Sequence, residues 1–393
     1  MKYDFILFEN AYHLENHYLD LELLAILLQR AGYNVAIANV FKEEKLCKNA
    51  KIPHINLKYK PYKYFRELST YRNSISNLRY SFLRLLCNLY LIYSVFILSK
   101  KTKRIYLGSL TIDTPILWMI LLPFRCDFYI WGLRSYVIQK WKEKILSRYG
   151  LYSLLLYCII KFYTRVKIIV SNSIISGEFK EIINNPNSRI LVRPERWVFD
   201  DYLLPHRYRE KEKLTFLTIG TLRRTKHVEL VLDAFRKCKY TNYEYIIAGR
   251  CKDDNGYNEM IEEKAKGLIQ VKRLNRFIPD EEYNSLLKSV DFVILCDEKE
   301  KSCGTNGTMM EALLQGIPII APKHEPFISE IQKNGVGLLY DMYDIPTLTD
   351  CIEELCYRRN INFYDNIKSY IERYKENNIV NHIKQQISYN ENN

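Results

Sequence analysis

Short apolar runs alternate with amphipathic stretches along most of the chain, a pattern that predicts strands separated by helices and hence parallel α/β sheets. In the first half, Phe5–Phe8 reads as a strand, Leu19–Ala31 as an amphipathic helix closed by Gly32, and Asn34–Val40 as a second strand. After a basic, aromatic region come Lys103–Leu107 (strand), Leu117–Leu122 (helix), Asp127–Trp131 (strand), Leu151–Tyr163 (helix), Lys167–Ser171 (strand) and Ile190–Arg193, which closes this half. Pro205 and a dense charge run make Trp197–Lys213 the connection. The second half runs Thr215–Ile219 (strand), Val228–Lys237 (helix), Tyr245–Ala248 (strand), Asn258–Lys266 (helix), Ile269–Val271 (strand), Glu281–Ser289 (helix), Phe292–Leu295 (strand), a helix around Glu311, and Ile319–Ala321 (strand). A polar, helix-like tail follows, so the expected organisation is 1–196, a linker at 197–213, 214–363 and a tail at 364–393.

The stretch Gly304–Pro322, GTNGTMMEALLQGIPIIAP, carries the most chemistry. It follows the apolar strand of DFVILC, and its glycines Gly304 and Gly307 let backbone approach a ligand without a Cβ in the way. Thr308 is placed to cap a short helix whose free N–H groups point at an anion, with Thr305 and Asn306 in the same loop. Glu311, about one turn on, can accept hydrogen bonds from hydroxyls such as those of a ribose, and Gly316-Ile317-Pro318 stops the helix. Upstream, IGTLRRTK sets Gly220, Thr221, Arg223, Arg224 and Lys226 in a basic loop at the mouth of a strand, the edge where open α/β sheets bind ligands.

Together these segments resemble group 1 glycosyltransferases of the GT-B fold, of the bacterial surface-polysaccharide type. In that family a glycine-bearing loop leads to Glu-Ala, then Gly-x-Pro and a strand, and a strand ending in Gly is followed six residues later by a Lys and then by a helix ending in Ala-Phe. Lys226 and Ala234-Phe235 fall on those positions, and partial matches at Ile246–Arg250 (IIAGR), Arg276–Glu282 (RFIPDEE) and Ser289–Val293 (SVDFV) keep the family's order. The resemblance covers residues 214 to about 340. It implies two Rossmann-like parallel-sheet domains facing a cleft, with a C-terminal helix that in this fold often crosses back to the first domain. It also implies a nucleotide-sugar donor held by Lys226 and Glu311 and by Gly220, Thr221, Arg223 or Arg224, Gly249, Arg276, Phe277 and the 304–308 loop. No metal and no cofactor are implied, the sugar nucleotide being substrate.

Two departures from the family pattern stand out. The position of a second Glu, eight residues before Glu311, is Cys303, and a thiol cannot accept hydrogen bonds from sugar hydroxyls as a carboxylate does. The segment Trp131-Gly132-Leu133-Arg134 resembles a Trp-Gly-His-Gly segment but puts Leu133 at the His position, leaving Arg134 to bind an acceptor phosphate or the leaving diphosphate. His13, Glu15 and His17 follow the first strand and are the acceptor-contact candidates.

Composition fits a globular protein of two domains: 393 residues, 48% hydrophobic and 26% charged. The ten cysteines form no CxxC pair, so neither a zinc cluster nor a disulfide framework is expected, and free thiols point to a reducing compartment. The N-terminus MKYDFILFEN reads as a strand, not a secretory signal. The net charge of +13 needs a partner. Nucleic acid is disfavoured by the absence of an Arg-rich repeat, a zinc finger or an RNA-binding aromatic signature. An anionic membrane surface fits the interleaved basic and aromatic residues of Lys58–Lys103, whereas the apolar stretches Leu85–Leu98, Ile116–Phe124 and Leu151–Tyr163 are too short to span a bilayer. The expectation is a cytoplasmic enzyme, peripheral at the inner face of the cytoplasmic membrane, that moves a sugar to a lipid-linked saccharide or polysaccharide precursor. The alternatives are a catalytically silent GT-B partner protein and a nucleotide-sugar epimerase.

Overall fold

Apolar runs such as Phe5–Phe8 and Tyr245–Ala248 need cover on both faces, and each is buried inside a parallel sheet. The computed structural model describes residues 2–8, 15–39, 52–57, 89, 92–108, 126–131, 133, 135–143, 145–194, 196–205, 213–251, 256–299, 306–358 and 362–392. The chain divides into two units, 1–197 with 376–393, and 198–375.

The first unit contains β1 (Tyr3–Phe8), β2 (Val35–Asn39), β3 (His54–Asn56), β4 (Thr102–Leu107), β5 (Asp127–Trp131), β6 (Val166–Val170) and β7 (Ile190–Val192). They are ordered β3-β2-β1-β4-β5-β6-β7, each parallel to its neighbours. Side chains of β1 alternate between two cores. Ile6 and Phe8 pack with Ile105, Ile130 and Ile168 on one face. Phe5 and Leu7 pack on the other against Leu21, Leu24 and Leu28 of the helix Glu15–Arg30. That second face is completed by Ile379, Val380, Ile383 and Ile387 of the helix Glu376–Asn392. Gln386 of this helix accepts a hydrogen bond from the Val192 N–H at 3.2 Å, and buried Glu376 pairs with Arg30.

The second unit contains β8 (Leu214–Ile219), β9 (Tyr243–Ala248), β10 (Val271–Leu274), β11 (Phe292–Ile294), β12 (Ile319–Pro322) and β13 (Gly337–Tyr340), all parallel, in the order β10-β9-β8-β11-β12-β13. Strand order reverses between β8 and β11, the topological switch point at which open α/β sheets open a ligand crevice at their carboxyl ends. In both units, therefore, the architecture is the expected Rossmann-like α/β sheet.

The differences from the sequence reading have local causes. Ile269, expected to begin a strand, is 92% exposed in a turn, and the strand is Val271–Leu274. Its Lys272 and Arg273 broke the apolar pattern because β10 lies at the sheet edge, where one side of the strand has no neighbour. The polar tail is two helices: Tyr364–Glu372 buries Ile367, Tyr370 and Ile371 in the second unit, and Glu376–Asn392 belongs to the first. The helix expected at Leu117–Leu122 lies outside the described residues.

Candidate functional site

The loops that leave β8 and β11 on either side of the switch point are joined. After β8, Gly220 adopts φ +112°, and beside it Gly249, at the end of β9, adopts φ +139°. A Cβ on Gly249 would stand 1.8 Å from the Gly220 carbonyl oxygen, so the two strand ends touch through bare backbone. The chain then makes a 3₁₀ turn at Arg224–Lys226 and enters the helix Val228–Lys237. Thr221, Arg223 and Arg224 are exposed, and Arg224 lies over the ring of Tyr257 at 5.6 Å. Lys226 points inward: its side chain is 18% exposed, and its Nζ lies 3.8 Å from Asp297 Oδ1 and 3.9 Å from where a Gly220 Cβ would be.

Asp297 follows β11 and ties this loop to the N-terminus of the helix Gly307–Leu314. Its second oxygen accepts from Asn306 Nδ2 at 3.4 Å, and its carbonyl oxygen lies 2.9 Å from His324 Nε2. The next residue, Glu298, donates its N–H to the Thr225 carbonyl at 2.8 Å, and its carboxylate lies 3.2 Å from His227 Nε2. His227 is held on its other side by Glu229 at 2.9 Å, and Glu229 accepts from the Tyr257 hydroxyl. Burial, with the Glu229 carboxylate adding to it, pushes the Tyr257 hydroxyl well above the usual phenol range, so it stays a donor.

Asn306, not Thr308, caps the helix Gly307–Leu314, its Oδ1 accepting from the Met309 N–H at 3.1 Å. The asparagine side chain reaches its third following N–H as a cap requires, and Thr308 is already inside the first turn. Met309, Met310, Ala312 and Leu313 are buried, and the Tyr370 hydroxyl reaches Met310 Sδ, so one face of the helix is fixed in the core while Glu311 lies half-buried on another. Gly316, at φ +74°, ends it.

On the other flank of the sheet, the ends of β9 and β10 border a half-open cavity of about 430 Å³ lined by Arg250, Cys251, Asn258, Glu259, Asn275, Arg276 and Phe277. Arg276 is engaged in a two-pronged pair with Glu282, and Phe277 is 74% exposed at this mouth. The structure thus brings Gly220, Lys226, Gly249, Asn306, Gly307 and Glu311 to one sheet edge, with Arg276 and Phe277 at its β10 end. Gly304, Thr305, Cys303, His13 and Arg134 lie outside the described residues. Glu15 and His17 fall in the first turn of the helix Glu15–Arg30, and Leu133 is buried. Asp297, His227 and His324 were not singled out in the sequence. The one signal for Asp297 was its place directly after an apolar strand that ends at the switch point. Among the described residues there is no group of three His, Cys, Asp or Glu that could hold a metal ion.

Two sheets of seven and six parallel strands, each wound about a switch point, constitute the GT-B fold. Residues 205–374, nearly the whole of the second unit, match the family of glycosyl transferases of group 1. Similar solved structures include the apo form of a lipopolysaccharide outer core galactosyltransferase, WaaB (14% identity, 98% of this chain and 99% of that one, TM-score 0.66). HepE of Anabaena in complex with UDP and glucose (14%, 98% and 100%, 0.64) and a sucrose-phosphate synthase of Thermosynechococcus elongatus (13%, 98% and 98%, 0.67) are comparably similar. No curated protein matches the chain by sequence.

Proposed function

We propose that the protein moves a sugar from a nucleotide-sugar donor to a lipid-linked saccharide or polysaccharide precursor, with retention of configuration and without a bound metal, at the inner face of the cytoplasmic membrane. One observation carries this reading: Lys226, the capped N-terminus of Gly307–Leu314 and Glu311 converge on the switch point of the second sheet. A diphosphate brings about two negative charges to that edge, and an ammonium with free helix N–H groups neutralises them. Arg223 or Arg224, both exposed on the same loop, supplies a second cation. Glu311 accepts from the ribose hydroxyls, and the base enters the cavity beside Asn275 and stacks on the exposed ring of Phe277.

In the transfer step the bond from the anomeric carbon to the phosphate oxygen breaks as the acceptor oxygen bonds on the same face, and the acceptor proton passes to the departing phosphate. No strong side-chain base is needed, which accommodates Leu133 at the family's His position. Arg134 steadies the departing diphosphate, while His13, Glu15 and His17 contact the acceptor. The name of WaaB, a lipopolysaccharide galactosyltransferase, and the UDP and glucose bound to HepE support the donor and acceptor classes.

The test is donor consumption by the full chain with a panel of nucleotide sugars, with and without a lipid acceptor extract and with and without EDTA, the product anomer being read by NMR. Acceptor-dependent, EDTA-resistant transfer with retention is expected. Isomerised free nucleotide sugar would make it an epimerase. Nucleotide binding without turnover of any donor would make it a silent partner protein.

A further inference from the structure

The helix Arg148–Phe162 of the first unit is apolar on the face it turns to solvent as well as on the face it buries. Ser153, Leu156 and Ile160 point into the core. Leu151, Leu154, Leu155, Cys158 and Phe162 recur at helical spacing on the opposite side, a stripe about 16 Å long at 1.5 Å per residue. Leu151 is 55% and Phe162 64% exposed, and the turn before the helix adds Ile145 at 49% and Leu146 at 100%. A soluble surface rarely leaves so many large apolar side chains contiguous.

The stripe is presented by a firmly held element. Ser147 caps the N-terminus by accepting from the Gly150 N–H at 2.9 Å. At the other end the buried guanidinium of Arg189 donates to the carbonyls of Ile160 and Lys161, among the last of the helix, and to Val166 on β6. Ser153 further fastens the helix to the preceding segment by accepting from the Trp141 N–H and donating to the Val137 carbonyl.

Charge decides the occupant. Between Arg134 and Arg165 the sequence carries seven basic residues and a single acidic one, Glu143. Lys140 and Lys142 are exposed in the turn ahead of the stripe, and Lys161 lies over the rings of Tyr157 and Phe162 at its far end. Apolar side chains along one line, with lysines and aromatic rings at its ends, match the acyl and headgroup layers of an anionic bilayer. A helix lying in the interface plane buries the first in the acyl boundary and sets the second among phosphates. A second protein copy would gain nothing from facing an equally basic rim.

We propose that Arg148–Phe162 is an in-plane membrane seat, with Leu146, Leu151, Leu155 and Phe162 entering the acyl boundary and Lys140, Lys142 and Lys161 engaging anionic headgroups. This rests on the membrane-surface part of the proposed function and transfers the contact from Lys58–Lys103 to a different segment.

The experiment floats the full-length protein with phosphatidylcholine vesicles containing or lacking phosphatidylglycerol. It compares wild type, Leu151→Asn/Phe162→Asn and Lys140→Gln/Lys142→Gln, with gel filtration and melting temperature alongside. The expected result is binding of wild type to anionic vesicles only, at least about tenfold weaker for the apolar pair, and weaker and more salt-sensitive for the lysine pair. Should the apolar pair not fold, Leu146→Asn, on a wholly exposed side chain, carries the same comparison. Undiminished vesicle binding by the apolar variant would overturn this seat while leaving the membrane reading intact. Failure of wild type to bind would overturn both. A wild-type dimer dissolved by the apolar pair would assign the stripe to a second copy and overturn the lipid assignment.

Discussion

Replacing Lys226 with alanine tests the proposed donor site most directly, because a binding role and a structural one predict different outcomes for it. Its ammonium is 3.8 Å from Asp297, beyond hydrogen-bond distance, and neither side chain is fully buried, so the ion pair stabilises the fold by about 1 kcal/mol. A charge-assisted hydrogen bond to a phosphate contributes about 1.5–3 kcal/mol, or roughly 10- to 150-fold in affinity. Lys226→Ala is therefore expected to weaken nucleoside diphosphate binding by that factor in titration calorimetry while lowering the melting temperature by no more than about 2–4 °C. Asp297→Asn is expected to act in the opposite direction. It keeps the shape and the contact to Asn306 but removes a negative charge beside the diphosphate, so affinity should rise several-fold. Unchanged affinity in Lys226→Ala for every nucleoside diphosphate would remove this lysine from the site. Equal weakening by both substitutions would show the pair to be a strut between the β8 and β11 loops.

Glu311→Gln, on a helix fixed by its buried face, should slow transfer by about ten- to a hundredfold with little change in melting temperature; unfolding of this variant would make the glutamate structural. Gly249→Ala should cost more than about 3 kcal/mol in chemical denaturation, since it forces a side chain into φ +139° and against the Gly220 carbonyl oxygen; wild-type stability would refute the close strand contact. Partial desolvation of a ring that still reaches solvent holds the His382 imidazole below its usual range, and its Nε2 lies 2.7 Å from Gln386 Nε2, an arrangement in which the neutral ring accepts. A folded value below the unfolded one of 6.5 means that the unfolded chain binds the proton first, so stability present above pH 6.5 should fall as pH drops through the folded value. His382→Gln should flatten that loss in pH-dependent melting, and an unaltered profile would exclude the residue.

The sequence was most readable where one element answers to one periodicity. Val228–Lys237 and Asp127–Trp131 were bounded correctly because the first is strongly amphipathic and the second is an apolar run followed in the sequence by a glycine. Edge strands were less readable: the apolar run of β10 is broken by Lys272 and Arg273, and β13, GLLY, is only four residues long and starts on a glycine. At the site, the glycines, Lys226 and Glu311 were marked by falling on the motif positions of the family the sequence resembles. Asp297 could not be found that way, because its partner Lys226 is 71 positions away and meets it only once β8 and β11 are side by side. Thr308 and Asn306 are both ordinary capping residues, and only the start of the helix at Gly307 selects Asn306. The pairing of Arg276 with Glu282 likewise makes a residue expected to contact the donor half of a two-pronged ion pair.

The helix Glu376–Asn392 has a consequence for synthesis. It closes one face of the sheet begun by Tyr3–Phe8, so that strand, made first of the two, waits for Glu376–Asn392 before Phe5, Leu7 and Leu28 are sealed from water. The second unit, whose strands lie wholly between 214 and 340, has all its sheet partners before that helix emerges. Ribosome-bound chains stopped before residue 376 should thus protect the second sheet from protease while leaving the first accessible, and nonsense or frameshift truncation within Glu376–Asn392 would release a chain with an intact second sheet and an unsealed first one.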